Sequence, residues 1–202
     1  MKLLAICLFG YRGTESPPVC LGMASELSAF GYFQRASVRE MLQFTSRTIV
    51  QRTAPGQRQT VRQEDYYCHV HLRESGLAAV AVCDKDYPPT AAFGVAAKVM
   101  EEYSAAAGDA EPWRTAGADD SSGAAVLEPA LAAYQDPAAA DRLTRIQRDL
   151  DETKVVLHQT IDSVLRRGEK LDTLVDKSAD LSLASQMFYK QARKTNSCCR
   201  MM

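Results

Sequence analysis

In residues 143–195, LTRIQRDLDETKVVLHQTIDSVLRRGEKLDTLVDKSADLSLASQMFYKQARKT, steps of three and four alternate without a skip. They fall on Leu143, Ile146, Leu150, Thr153, Leu157, Thr160, Val164, Arg167, Leu171, Leu174, Ser178, Leu181, Ser185, Phe188, Ala192 and Thr195. A strict 3/4 alternation averages 3.5 residues per turn, the period of a left-handed supercoil. Such a stripe stays on one side of a long helix only if the helix winds with partners. Fully helical, the stretch would reach ~80 Å at ~1.5 Å per residue. Ten of the sixteen positions are apolar, five are Thr or Ser, and one is arginine. A two-stranded zipper would carry Leu or Ile nearly throughout, whereas small polar residues suit the crowded layers of a thicker bundle.

Arg167 stands in mid-stripe between Val164 and Leu171. A guanidinium carries five donors and cannot shed its charge. Buried without a partner it would cost several kcal/mol, so partner helices must bring acceptors to that one level, which sets the register. The alternative is an arginine snorkelling from a solvated face, but the spacing on both sides is unbroken. Alone, the segment should be weakly helical, because Gly168 costs about 1 kcal/mol and the Thr/Ser positions help little.

Working outward, Lys2 to Phe9 reads as an apolar strand, 10–18 as a turn and Val19 to Leu27 as a returning strand. Ser37 and Glu40 have capping-box spacing, opening a helix to about Arg52 with Val38, Met41, Leu42, Thr45 and Ile49 on one face. Phe44 lies off that face. It is either an exposed apolar contact or a ring covered by a neighbouring loop. Strands are expected within 54–62, across Asp65 to Arg73 and over Leu77 to Cys83. Short connections make them antiparallel. A helix from Pro88-Pro89-Thr90 through Tyr103 follows, then a mobile loop, Ser104 to Ala125, around Trp113, and a short helix at Glu128 to Tyr134. Strands with one inserted helix, then helices, read as α+β. Asp136-Pro137 is a good helix start, so a first domain ends at residue 135 and a helical segment occupies 137–197.

Formal net charge is -1 across 202 residues, which gives no global pull towards nucleic acid. No stretch reaches the ~18 apolar residues of a spanning helix. Cys7, Cys20, Cys68 and Cys83 lie singly in apolar stretches and read as buried reduced thiols. Cys68-His69-Val70-His71 invites a metal, but in a strand the two histidines face away from the cysteine, so no metal site is assigned. No phosphate loop, dinucleotide glycine motif or nucleophile elbow is present, so no catalytic residue is assigned. The end of the chain, Cys199-Arg200-Met201-Met202, has the four-residue form of a prenylation signal, Met last favouring farnesyl. Arg200 departs from the aliphatic residue usual there. One lipid chain holds a membrane only marginally, and the adjacent Cys198 is the natural place for a second, palmitoyl or prenyl.

Leu150-Asp151-Glu152-Thr153, the run Val164 to Asp172, Met187-Phe188-Tyr189 and the tail Asn196 to Cys199 resemble the lipid-anchored, Ykt-type longin R-SNAREs. The resemblance implies an N-terminal longin (profilin-like) domain, a five-stranded antiparallel sheet sandwiched by helices, over 1–135. It implies a long coiled-coil SNARE helix over 137–197 and a lipidation tail at 198–202. By it, Arg167 is the central layer, met by glutamines from three Q-SNARE helices in a parallel four-helix bundle. It also implies dependence on the SNARE disassembly machinery, covalent lipid but no other cofactor, and cycling between cytosol and Golgi, endosomal, vacuolar or vesicle membranes. A groove on the longin domain would receive the chain's own SNARE segment or its lipid, with Phe44 lining it. The competing class is a longin-type adaptor with a coiled-coil tail that does not drive fusion, but such an adaptor needs no cation at the centre of its stripe.

Overall fold

The computed structural model describes residues 2–136, 156–166 and 168–199. β1 (Leu3–Gly10) is buried along its whole length. Its apolar run is unbroken because both its faces are covered, leaving no position free to be polar. β2 (Val19–Ser25), β3 (Arg58–Gln63), β4 (Tyr66–Leu72) and β5 (Leu77–Asp84) complete an antiparallel set in the order β2-β1-β5-β4-β3. Ile6 pairs with Ala81, Val70 with Val80 and Thr60 with His69. The five expected strands are all present.

Helices cover both faces of this sheet. On one side Ile6, Leu8, Ala79 and Ala81 share a cluster with Val95, Val99 and Met100 of α2 (Pro89–Ala107) and Leu127 of α3 (Ala124–Ala133). On the other, Cys7, Phe9, Val70 and Val82 share a cluster with Met41, Ile49 and Val50 of α1 (Arg35–Gln51). Cys68 and His69 fall on opposite faces: Cys68 joins the α1 side, and His69 meets Phe93 of α2 edge to face at 5.2 Å. Cys7, Cys20, Cys68 and Cys83 are buried free thiols, and burial pushes Cys68 up to about 12.

Three local expectations change. First, α1 begins at Arg35, so Ser37 is buried inside the helix and there is no capping box; Glu40 bonds elsewhere, as described below. Second, the stretch after Tyr103 is held rather than loose. α2 runs on to Ala107, and short 3-10 turns follow at Gly108–Ala110 and Pro112–Arg114. Trp113 is only 3% exposed and its indole N–H donates to the Ser75 carbonyl at 3.2 Å. Its own carbonyl lies so close to Gly10 that a side chain there would collide with it. Asp119 accepts the Cys20 N–H, while Asp120 and Gly123 donate to the Cys20 and Leu21 carbonyls, which closes the outer edge of β2. Third, α3 starts at Ala124, four residues before the expected Glu128.

The largest departure lies in the C-terminal stretch. Val156–Thr160 is β6, a sixth strand laid parallel on the edge of β3, with Thr60 opposite His158. Then come α4 (Ile161–Val164), α5 (Leu171–Lys177) and α6 (Leu183–Cys199). A single long helix is thus not formed among the described residues. Broken in this way, the stripe buries apolar side chains against the domain that a lone helix would leave in water.

Candidate functional site: the groove that holds the C-terminal segment

The groove lies on the α1 side of the sheet. Its floor is the apolar cluster of that face, which takes in Ile161, Leu165, Leu171, Val175 and Leu181 from the segment. Val175 is fully buried, and Ser185 is also at 0% exposure. α6 packs on α1 and runs antiparallel to it, since Asp180 meets Arg47, Ser182 meets Glu40, and Phe188 with Ala192 reaches the level of Val38 and Phe30.

Polar contacts fasten the segment at three levels. Arg52 binds Glu169 at 2.9 Å, and the same Glu169 oxygen accepts the Arg166 N–H at 3.0 Å. This closes the turn between α4 and α5, where Gly168 adopts φ +89°. Arg47 binds Asp180 at 2.6 Å and also Asp119. Glu40 accepts the Ser182 N–H at 2.9 Å. Within the segment, Tyr189 donates to Asp172 at 2.8 Å, Arg193 pairs with Asp172, and Lys190 pairs with Asp176.

These contacts shift the groups that make them. Partial burial alone would raise the Glu40 carboxyl, but hydrogen bonds from Ser182 and Ser185 hold it below the usual range. Glu169 is likewise held down by Arg52 and Arg166 against the effect of burial, and Asp172 by Tyr189 and Arg193. The Tyr189 phenol is pushed up by burial and by Asp172, so it stays a neutral donor.

Between α1 and α6 lies a cavity of about 270 Å³, walled by Val38, Met41 and Leu42 on one side and Phe188, Tyr189 and Ala192 on the other. Leu4 and Phe30 also line it, with Glu64 and Arg193 as charged members of the wall. Phe44 is not in this wall. It is half-buried against the cluster that carries Leu171, Val175 and Leu181.

Of the stripe, Leu171, Leu181 and Ser185 are buried, while Val164, Leu174, Ser178, Phe188 and Ala192 are half-buried. Leu157 and Thr160, in β6, are exposed. Ile161, Leu165 and Val175 are buried although they lie off the stripe, because a strand and three separate helices do not keep the phase of one continuous helix. Leu143, Ile146, Leu150, Thr153 and Arg167 lie outside the described residues, as do the side chains of Thr195, Cys198 and Cys199. Sequence reasoning missed Arg47, Arg52 and Glu40 as fastening residues. Their partners are 117 to 142 positions away, so no local pattern points to them.

A five-stranded antiparallel sheet between helices that grips its own SNARE-like stripe is the arrangement of a longin-type SNARE. The Longin (regulated-SNARE-like domain) family profile matches residues 27–125, and the Synaptobrevin profile matches 142–201. The chain is 52% identical to the VAMP-like protein YKT61 of Arabidopsis thaliana, over the whole of both chains. It is 47% and 43% identical, again end to end, to the synaptobrevin homologs YKT6 of Eremothecium gossypii and Saccharomyces cerevisiae. The chain therefore belongs to the longin R-SNAREs, in their Ykt-type branch. It acts as an R-SNARE in vesicle transport and interacts with other SNARE proteins, and its family is a non-enzymatic class. No helix among the described residues is long and apolar enough to cross a membrane.

Proposed function

We propose that the chain alternates between this closed form and an open form in which 137–197 zippers as one helix with three Q-SNARE helices. The observation that carries the reading is that Leu171, Leu181 and Ser185, three layer positions of the stripe, are buried against the longin domain. The same side chains cannot line a four-helix bundle at the same time, so closure and zippering exclude each other. In the bundle Arg167 is the central layer facing three glutamines. Leu143, Ile146, Leu150, Thr153, Leu157, Thr160, Val164, Leu174, Ser178, Phe188, Ala192 and Thr195 supply the remaining layers. Burial of those layers draws two membranes together, at ~1.5 to 3 kcal/mol gross for each large apolar side chain. The SNARE disassembly machinery then returns the chain for another round, and no step involves catalysis by this chain.

Residues 1–135 act as the longin unit and 198–202 as the anchor, with farnesyl on Cys199 and palmitate or a second prenyl group on Cys198. When the chain is in the cytosol, the cavity between α1 and α6 shelters the lipid, since it is largely apolar and one of its walls is the helix that ends at Cys199. On Golgi, endosomal, vacuolar or vesicle membranes the lipid leaves the cavity. Phe44 helps hold the groove shut, so Phe44→Glu sets a charge in an apolar contact. The test is the rate at which the full-length chain forms a heat-resistant complex with Q-SNARE helices. Phe44→Glu should assemble faster than wild type, and equal rates would remove autoinhibition from the reading.

A further inference from the structure

Tyr32 and Phe33 are 77% and 94% exposed, yet the turn that carries them is firmly held. Phe30 N–H donates to the Leu27 carbonyl at 3.0 Å and Gln34 N–H to the Gly31 carbonyl at 2.8 Å. The Arg35 guanidinium donates to the Phe30 and Ser28 carbonyls, and Glu26 folds in to accept the Ser28 N–H. The two rings meet edge to face, 5.5 Å apart at 85°. A turn fastened at this many points has its rings in water by construction, and exposed aromatic pairs on ordered backbone mark contact surfaces.

We propose that Tyr32 and Phe33 form a wedge that enters the headgroup layer of an anionic phospholipid bilayer, so that the longin domain has a membrane foothold of its own. Three observations select this occupant. The first is charge: Arg35, Arg39 and Lys194 stand towards this end of the molecule, where Glu26 is the acid of the turn itself and Lys190 and Arg193 are paired with Asp176 and Asp172 in the closed form. The second is position. Because α6 runs antiparallel to α1, its stretch from Lys190 to Lys194 and its C-terminal end lie towards the end of α1 that carries the aromatic turn. Phe30, two residues before Tyr32, is part of the cavity wall. The third is size. Two rings on one turn fall far short of the ~800 Å² per partner that a stable protein interface buries. A tyrosine, with its polar tip, beside a fully apolar phenylalanine and near cations is instead what settles at a membrane surface.

The proposal rests on the membrane setting of the family, and takes from the lipid-anchor reading only which end of the molecule faces the bilayer. It is therefore tested on the full-length chain made without prenylation, whose binding owes nothing to lipid. Sedimentation with phosphatidylcholine vesicles, with and without phosphatidylserine, should show binding that needs the anionic lipid. Replacing both rings, Tyr32→Ser with Phe33→Ser, should weaken it on the order of tenfold. Both side chains are exposed, so the fold should be unchanged by circular dichroism. In a Phe33→Trp variant the emission should shift to the blue and be quenched by brominated lipid, whereas Trp113, buried in the core, should not respond. The proposal is overturned if the wild-type chain binds no vesicles, if the double variant binds as well as wild type, or if Trp at position 33 ignores the lipid. A self-association lost in the double variant, with no vesicle binding, would assign the rings to a second copy instead. Failure of Cys199 to carry a lipid leaves every one of these outcomes unchanged.

Discussion

Arg47 Nη1 lies 2.6 Å from Asp180 Oδ2, and the same guanidinium holds Asp119. One cation on α1 thus ties together the SNARE segment and the loop that closes the edge of β2. The Arg47 side chain is 11% exposed and the two carboxylates about half exposed, so each pair is worth only about 1 kcal/mol. Asp180→Asn should open the segment several-fold more often, and Arg47→Ala should also loosen 119–123. Amide exchange by mass spectrometry separates the two. Asp180→Asn should raise exchange in 171–189 alone, and equal exchange in both variants would deny the loop any share in the clasp.

Gly168 sits at φ +89° in the closed turn, with open space where a side chain would stand. An alanine there is strained by about 1 kcal/mol in the turn and gains about 1 kcal/mol in a helix. The two effects add in the direction of opening. Gly168→Ala should therefore assemble with Q-SNARE helices on the order of tenfold faster and make a complex that melts higher. A slower assembly would mean that the turn is not part of the barrier.

Arg167→Gln should leave a bundle that forms but is mismatched at one layer, since four glutamines cannot reproduce one guanidinium met by three. A compensating Gln→Arg change in one partner should restore fusion in a vesicle assay. If Lys170→Gln produces the same defect, Arg167 is not the central layer.

Cys199→Ser should shift the protein into the soluble fraction, because its described helices contain no span to compensate. Cys198→Ser should leave a weak, readily reversed association, since one chain remains. Cell fractionation reads both, and membrane retention of the Cys199→Ser protein would count against the anchor.

Closure should depend on acid. Glu40, Glu169 and Asp172 all have carboxyls held below their ordinary values of 4.5 and 3.8 by contacts made in the closed form, Asp172 by those between α5 and α6. A depressed carboxyl favours the closed form above its released value and loses that effect as pH falls through its docked value. Segment protection should thus be flat above about pH 6 and fall below about pH 4.5. His69, which burial lowers from 6.5 to about 4, makes the whole domain less stable over that interval. The measurement is therefore exchange at 171–189 relative to β5. A Glu40→Gln variant should show a shallower acid dependence, and an unchanged profile would deny Glu40 this role.

Elements whose signal is local are legible in the order of residues alone. β1 and β5 were legible because an apolar run bounded by turns needs no distant partner to be recognised. The buried face of α1, Val38, Met41 and Ile49 among it, followed from a 3.6-residue period. The stripe from Leu143 to Thr195 was legible because its period requires company. What that company is in the isolated chain could not be read. A stripe able to bury against three helices or against one groove has no single conformation written in its spacing, and it is packing on the domain that makes Val156–Thr160 a strand beside β3. Ile161, Leu165 and Val175 became buried for the same reason, since their phase belongs to the broken segment and not to the helix. Phe44, which the helix period left between exposure and cover, is half-buried with the cluster that takes in Leu171 and Val175. Glu40 looked like a cap to Ser37 because sequence shows only near neighbours. Its actual donor, the Ser182 N–H, lies 142 residues away and was brought to it by the packing of α6 on α1.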